Sequence, residues 1–161
     1  MQTIELTVYN YDELSDKARE KAISDWRMHQ EYFCCDESKE SIMAFCEHFG
    51  VNLKKWEIDS YRFDYSHDAT NENFRGIKLK QFDRDFMPTG YCLDCDLWIT
   101  FYDEFKCTGS ALKAFESAIY QGFKSWRDDL AWQESDEYIA DHIVANEYTF
   151  LENGEIYHVH N

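Results

Sequence analysis

The spacing of apolar residues alternates along this sequence between the period of a helix and the period of a strand. Between residues 42 and 49 they recur at positions i, i+3, i+4 and i+7, namely Ile42, Phe45, Cys46 and Phe49. Gly50 follows, where a left-handed C-terminal cap would place it. Residues 92–102 instead alternate, with one face formed by Leu93, Cys95, Leu97, Ile99 and Phe101. A chain that combines both periods predicts an α+β fold.

The N-terminal half predicts one strand, two helices and then two further strands. Residues 3–9 alternate and predict a half-buried strand, after which Ser15 is the expected N-cap of a helix. In residues 56–65 the apolar side chains change faces, so we expect a bulge near Asp59-Ser60. Residues 74–82 predict a further strand. The apolar stripe of the first helix comprises Leu14, Ala18, Ala22 and Trp26.

The C-terminal half predicts two helices and a hairpin. Ser110 caps a long helix, and Ser135 or Asp136 begins the next one. Asn153-Gly154, between alternating residues, predicts a hairpin with a type I′ turn. The predicted order is β-α-α-β-β-β-α-α-β-β, an antiparallel sheet packed with about four helices. We expect residues 1–161 to form one acidic domain. The two helical stripes comprise Leu112, Phe115, Ile119, Trp126 and Leu130, then Ile139, Ile143 and Val144.

The charge of the chain restricts its partners. The 161 residues include 16 basic and 32 acidic side chains, a formal net charge of −16. Such a field repels phosphate, which argues against direct binding of nucleic acid and favours a basic protein partner. Residues 107–161 carry 10 acidic and 3 basic side chains, and no Lys or Arg follows Arg127. The C-terminal third is therefore the predicted negative pole.

The chain carries the features of a cytoplasmic protein. No apolar run approaches the roughly 18 residues of a membrane span, and we expect neither a membrane association nor a secretory signal. The six cysteines are then expected to be reduced thiols.

Two groups of residues have the spacing of metal ligands. Cys92 and Cys95 form a C-x-x-C pair, but a strand over residues 92–102 would put them on opposite faces, where they cannot share zinc. His158 and His160 would share one strand face, for which a solvated terminal strand is the simpler interpretation. We therefore expect no metal and no cofactor.

One set of residues is similar to the acid and Glu-x-Lys pattern of Mg²⁺ nucleases: Asp94, Asp96, Glu104 and Lys106. Acidic residues are so frequent here that such sets arise by chance, and the negative field would repel the substrate. Gly-rich phosphate loops, nucleophile elbows and dinucleotide motifs are absent from the sequence. We predict no catalytic residue and keep a small metal-dependent nuclease as an alternative.

Acids combined with aromatic residues are the remaining functional signal. Trp98 and Tyr102, with Tyr61, Phe63 and Tyr65, lie on predicted strand faces opposite the core, where they either anchor a partner or pack beneath helices. The predicted partner-binding residues are Asp128, Asp129, Glu134, Asp136, Glu137, Asp141, Trp98 and Tyr102.

Short stretches at both ends of the chain have a familiar pattern: residues 3–6, Tyr9, residues 12–18 and Lys21-Ala22, and again residues 135–139, residues 145–150 and Asn153-Gly154. In these stretches the chain resembles a family of small phage and prophage proteins described as antitoxins of toxin–antitoxin stability systems. Family members have a Gly- and Trp-rich stretch where this chain has residues 61–69, so no site residue is carried over. The resemblance implies a phage-encoded protein acting inside a bacterium.

Three functions are compatible with these features. The first is a phage inhibitor, of the anti-CRISPR or anti-restriction type, that occupies the basic groove of a nucleic-acid-handling protein as a DNA mimic. The second is an antitoxin-like protein that occludes a basic partner without imitating DNA. The third is the metal-dependent nuclease. Acidity as a solubility trait alone is the simplest alternative.

Overall fold

The computed structural model describes residues 5–157 and has an α+β fold, as predicted. These residues contain five α-helices and two separate two-stranded antiparallel sheets. They divide into two compact units: the first comprises the described residues up to Tyr32 and from Trp132 onward, and the second comprises Phe33–Ala131. Because two such units can form one domain or two, the single domain over residues 1–161 stays a prediction.

The first unit is built from two helices and one pair of short strands. Ser15 caps α1 by accepting a hydrogen bond from the N–H of Ala18, and Ser135 caps α5 in the same way, so both predicted caps are confirmed. The apolar stripes of the two helices meet in a core that also contains Phe150. Val144, which was predicted to belong to the stripe of the last helix, is instead 47% exposed. The elements are β1 (Tyr9–Asn10), α1 (Asp16–His29), α5 (Asp136–Ala145) and β4 (Thr149–Phe150), with a 3₁₀ turn at Tyr11–Glu13.

The second unit packs three helices and a hairpin around an aromatic core. The elements are α2 (Cys35–His48), β2 (Leu53–Ile58), β3 (Phe63–His67), α3 (Leu93–Thr108) and α4 (Ala111–Gln133, in this unit up to Ala131). The four predicted apolar residues of α2 are all buried, Gly50 has a φ of 63°, and Ser110 caps α4, as expected. Phe45 lies at the centre, with its ring stacked on Phe115 at 5.4 Å.

The predicted strand over residues 92–102 is wrong, because these residues lie in α3 and its N-cap. Leu93, Leu97 and Phe101 are four residues apart, a spacing that fits one face of a helix as well as one face of a strand. Trp98 decides between the two, since it is buried together with Leu97 and neighbouring residues of a strand point to opposite faces. The alternation therefore arose from a helical stripe in which Cys95 and Ile99, midway between its members, are also apolar.

Two other predicted strands also differ. Residues 74–82 contain no strand and instead pass through 3₁₀ turns at Asn71–Phe74 and Leu79–Gln81. Of the described residues 5–9, only Tyr9 is in a strand, and Leu6, which was expected on the buried face, is 55% exposed. Thr3 and Ile4 lie outside the described residues. The observed order of helices and strands is β-α-α-β-β-α-α-α-β.

Residues 56–65 form two strands rather than one strand with a bulge. Trp56 pairs with Tyr65 and Ile58 pairs with Phe63, so the change of face reflects a reversal of the chain at residues 59–62. The register shift of this hairpin lies between Leu53 and Lys55 instead. Tyr65 is half-buried, and its ring stacks on Phe123 of α4 at 4.7 Å.

The predicted hairpin at Asn153-Gly154 is present, but its turn is not of type I′. The N–H of Gly154 donates to the carbonyl of Leu151, and Phe150 bridges Ile156. Gly154 has a φ of 86°, whereas Asn153 does not have a positive φ, and a type I′ turn needs both. The left-handed backbone of this turn is therefore confined to Gly154, and Asn153 does not share it.

Candidate functional site

Acidic residues are distributed very unevenly between the two units. The first unit carries 14 acidic and 4 basic side chains, whereas the second carries 18 and 12. The net charges are −10 and −6, although the second unit is the larger. The negative potential of the chain is therefore concentrated in the first unit, and it includes acidic residues from both ends of the sequence.

Three of the four basic residues in the first unit are bound to partners inside that unit. Arg19 donates to the carbonyls of Tyr11 and Asp12, at 3.3 and 2.5 Å. Lys21 contacts the carboxylate of Asp25 at 2.6 Å, and Arg27 pairs with Asp136. Because each of these cations is held by a partner inside the unit, it reduces the negative potential of the other carboxylates only in part.

Two of the predicted acids on α5 are exposed and available. Glu137 and Asp141 are separated by one helical turn, and neither has an ion-pair or hydrogen-bond partner among residues 5–157. The other two predicted acids of this unit are engaged: Asp136 pairs with Arg27, and Glu134 accepts from the hydroxyl of Tyr32. Glu137 also lies in the first turn of α5, where a carboxylate stabilises the helix dipole.

Asp128 and Asp129 belong to the second unit, on a surface of mixed charge. The carboxylate of Asp128 lies 2.7 Å from Lys124 and 2.5 Å from Arg127, which hold its pKa below the usual value. Asp129 is half-buried. Both acids therefore lie in a different unit from Glu137 and Asp141, and Asp128 is also neutralised by neighbouring cations.

Trp98 is wrong as a surface anchor, because it is 1% exposed in the aromatic core of the second unit. Its ring meets Phe45 edge-on at 5.0 Å and His48 at 4.8 Å. Tyr102 lies on α3 and is half-buried. Tyr61, at the tip of the β2–β3 hairpin, is 84% exposed.

A row of aromatic rings that sequence reasoning missed lies beside the free acids in the first unit. Trp132 contacts Tyr138 at 6.2 Å, and Tyr138 stacks on His142 at 6.1 Å. Trp26 continues the row, with its ring 5.2 Å from His142 and 4.9 Å from Tyr148. Trp132 is 48% exposed and the other four are half-buried. The available signal was the helical spacing of Tyr138 and His142, four residues apart.

We call this surface the acidic–aromatic face and define it by the five rings and the two free acids of α5. On α5, Glu137 and Asp141 form the row adjoining Tyr138 and His142, because successive residues of a helix are about 100° apart. Partly exposed Trp and Tyr rings are common anchors at protein interfaces. The face therefore combines anchors with charge of one sign. Its residues are Trp26, Trp132, Glu137, Tyr138, Asp141, His142 and Tyr148.

Asp94 and Asp96, two of the acids considered for metal chemistry, point away from each other on α3. Asp94 is fully buried, and its Oδ2 accepts from the N–H and hydroxyl of Thr89 and the N–H of Gly90. Asp96 is exposed, about 200° away on α3. No group of three or more His, Cys, Asp and Glu side chains in residues 5–157 could hold a metal ion.

The prediction that Cys92 and Cys95 lie on opposite faces of a strand is also wrong. Cys95 lies in the first turn of α3 and Cys92 is its N-cap, rather than on opposite faces of a strand. All six cysteines are free of disulfide bonds. His158 and His160 lie outside the described residues.

No helix in the described part of the chain is long and apolar enough to cross a membrane.

No protein-family model, curated protein or solved structure matches the sequence. Apart from the resemblance of its two ends to phage proteins, the chain offers its own charges and contacts as the basis for a functional proposal.

Proposed function

We propose that this chain is a phage-encoded acidic binding protein that inhibits a host defence or nucleic-acid-handling protein. It acts inside the bacterial cell, as an inhibitor of the anti-CRISPR or anti-restriction type, by occupying the basic groove of its partner as DNA would. The observation that carries the proposal is the excess of ten negative charges in the first unit, three of whose four cations are already bound internally. The resemblance of both ends to phage proteins motivates the phage origin.

Electrostatics gives the proposal its physical basis. Duplex DNA carries about one charge per 1.7 Å of its axis, so a mimic needs closely spaced carboxylates that no internal cation neutralises. Glu137 and Asp141 meet this need, because residues four apart on a helix have Cβ atoms about 5–6 Å apart. A field of one sign also accelerates association with a basic groove, and this acceleration weakens with salt.

The aromatic row favours a second candidate, an antitoxin-like protein that occludes a basic partner without imitating DNA. Trp and Tyr rings contribute binding free energy through buried contact, which duplex DNA cannot reproduce. Trp132 is the most exposed of the five rings and would be the central anchor. Both candidates bind a basic partner protein. They differ in whether duplex DNA competes with the chain for that partner.

The test is quantitative capture of host proteins from a bacterial lysate by tagged protein. The test variant is Glu137→Lys/Asp141→Lys. The control is Asp36→Lys/Glu40→Lys. These two acids are also exposed and have no partner among residues 5–157. Like Glu137 and Asp141 in α5, they are the second and sixth residues of their helix, α2. The net charge of the two variants is the same. We expect the test variant to lose about tenfold or more in capture, some 1.4 kcal/mol, and the control to keep it.

Competition separates the candidates. Under DNA mimicry, duplex DNA displaces the captured protein, and Trp132→Ala has the smaller effect. Under occlusion, DNA does not compete and Trp132→Ala costs more than the charge reversal. Equal losses from both charge variants would indicate only a diffuse net-charge effect, and no loss from either would refute mimicry.

A further inference from the structure

A cavity in the first unit forms where the chain enters α1 and leaves α5. The antiparallel register of β1 and β4 pairs Asn10 with Thr149, which brings the residues after β1 beside the residues before β4. Glu147 has a φ of 54°, and this left-handed residue turns the chain from the end of α5 toward β4. The result is a cavity of about 470 Å³ whose lining includes Tyr11, Asp12, Glu147 and Tyr148.

The lining has the chemistry of a site for a cation. Asp12 and Glu147 are exposed carboxylates, and neither side chain has a hydrogen-bond or ion-pair partner among residues 5–157. No Lys or Arg is among the residues that line the cavity. The neighbouring wall is apolar or aromatic, with Val144 beside the two tyrosines. Two carboxylates beside aromatic rings, with no Lys or Arg in the lining itself and Arg19 bound outside it to the backbone carbonyls of Tyr11 and Asp12, are complementary to a positively charged group.

The two rings are held in place by packing within the unit. Tyr11 meets Phe150 edge-on at 6.2 Å, and Tyr148 meets Trp26 at 4.9 Å. Arg19 already uses the same chemistry nearby, since its guanidinium lies 5.8 Å from the ring centre of Tyr11. Burial raises the pKa of the Tyr11 hydroxyl above its ordinary value. A ligand would therefore meet preorganised rings rather than order them on binding.

We propose that this cavity binds an arginine side chain presented by a basic protein partner. A planar guanidinium can stack on an aromatic ring while its N–H groups donate to carboxylates, whereas an ammonium group is a compact point charge. A cavity of about 470 Å³ has room for the whole arginine side chain. The identity of this ligand depends on the proposed function, because it requires a basic protein as the partner.

The cavity can be tested without the partner, by titrating isotope-labelled protein with N-acetyl-arginine amide and following its amide NMR signals. The ligand control is N-acetyl-citrulline amide, in which a neutral urea group replaces the guanidinium. We expect saturable shifts at Tyr11 and Tyr148, with a Kd on the order of 1–10 mM for arginine and no saturation for citrulline.

A pair of variants of equal charge tests the carboxylates. We expect Asp12→Asn/Glu147→Gln to weaken arginine binding by about tenfold, the loss of two charge-assisted hydrogen bonds. Asp36→Asn/Glu40→Gln removes the same charge from two exposed acids of α2 and should leave binding unchanged. The amide spectrum of each variant, recorded before titration, establishes that it is folded.

Three results would overturn the proposal. They are equal binding of citrulline, equal weakening by both variants, and saturable binding of spermidine at the cavity in the absence of arginine binding. The failure of this proposal can be distinguished from the failure of the proposed function.

If the arginine titration fails while capture still depends on Glu137 and Asp141, only the arginine-binding proposal for the cavity is refuted. If arginine binds and capture is lost by neither charge variant, the inhibitor proposal is refuted and the cavity stands.

Discussion

Gly154 lies in the turn after β4, where its α-carbon packs directly against the backbone of α1. A Cβ added at this position would lie 2.2 Å from the carbonyl oxygen of Ala18 and 2.9 Å from its carbonyl carbon. The glycine also has a φ of 86°, a conformation that side chains resist. Gly154→Ala therefore combines a conformational cost with a steric one, and the obstructing atoms are helix backbone that cannot rotate away.

The two costs can be given magnitudes. Left-handed backbone at a non-glycine residue costs about 1–2 kcal/mol. Forcing one extra carbon into a packed site costs about 1–3 kcal/mol more. We expect Gly154→Ala to lower the free energy of unfolding by about 2–5 kcal/mol, out of a typical total of about 5–15 kcal/mol. A loss of about 3 kcal/mol corresponds to a fall of about 1–3 M in the urea midpoint.

Gly109→Ala is the matched control, measured by urea unfolding followed by circular dichroism. Gly109 has a φ of 68°, but an added Cβ there would meet no atom within 4 Å. Both variants change the entropy of the unfolded chain equally, so the difference between them isolates the contact with Ala18. Equal midpoints for the two variants would refute the reasoning, because they would mean that the turn does not pack against α1.

Three further outcomes follow from buried contacts in the second unit. Gly122→Ala should destabilise by about 1–2 kcal/mol despite the better helix propensity of Ala, since its Cβ would lie 2.5 Å from Leu97; a higher urea midpoint would contradict this. Asp94→Ala removes the buried carboxylate that accepts from the N–H and hydroxyl of Thr89 and from the N–H of Gly90, and it should cost about 1.5–3 kcal/mol, measurable by thermal melting. Burial raises the pKa of the Cys46 thiol to about 12, above its ordinary value of 9.0. Between about pH 9 and 12 the thiol therefore keeps its proton in the folded state and loses it in the unfolded state. The free energy of unfolding should fall as the pH rises through this range, and it should fall less in Cys46→Ala.

Local signals in the sequence were sufficient for much of the helical structure. Ser15, Ser110 and Ser135 each cap the helix that was expected to follow, because a cap depends only on residues within one turn. The apolar stripe of α2 and the left-handed Gly50 were equally predictable. The strand over residues 92–102 failed, since residues spaced by four satisfy both periods and only burial on a helical face separates them.

The candidate site was predictable only in part. The order of residues alone establishes that the chain is acidic, that its last basic residue is Arg127, and that Glu137 and Asp141 share a predicted helix. Which acids are free depends on the folded chain, because the neutralisation of Asp136 requires Arg27, 109 residues away. Folding likewise assembles the aromatic row from Trp26 and four residues beyond position 131, and the cavity from the segments that follow β1 and precede β4. Charge and helical period are properties of the residues and their near neighbours, whereas ion pairs, ring contacts and cavities depend on which distant segments the core brings together.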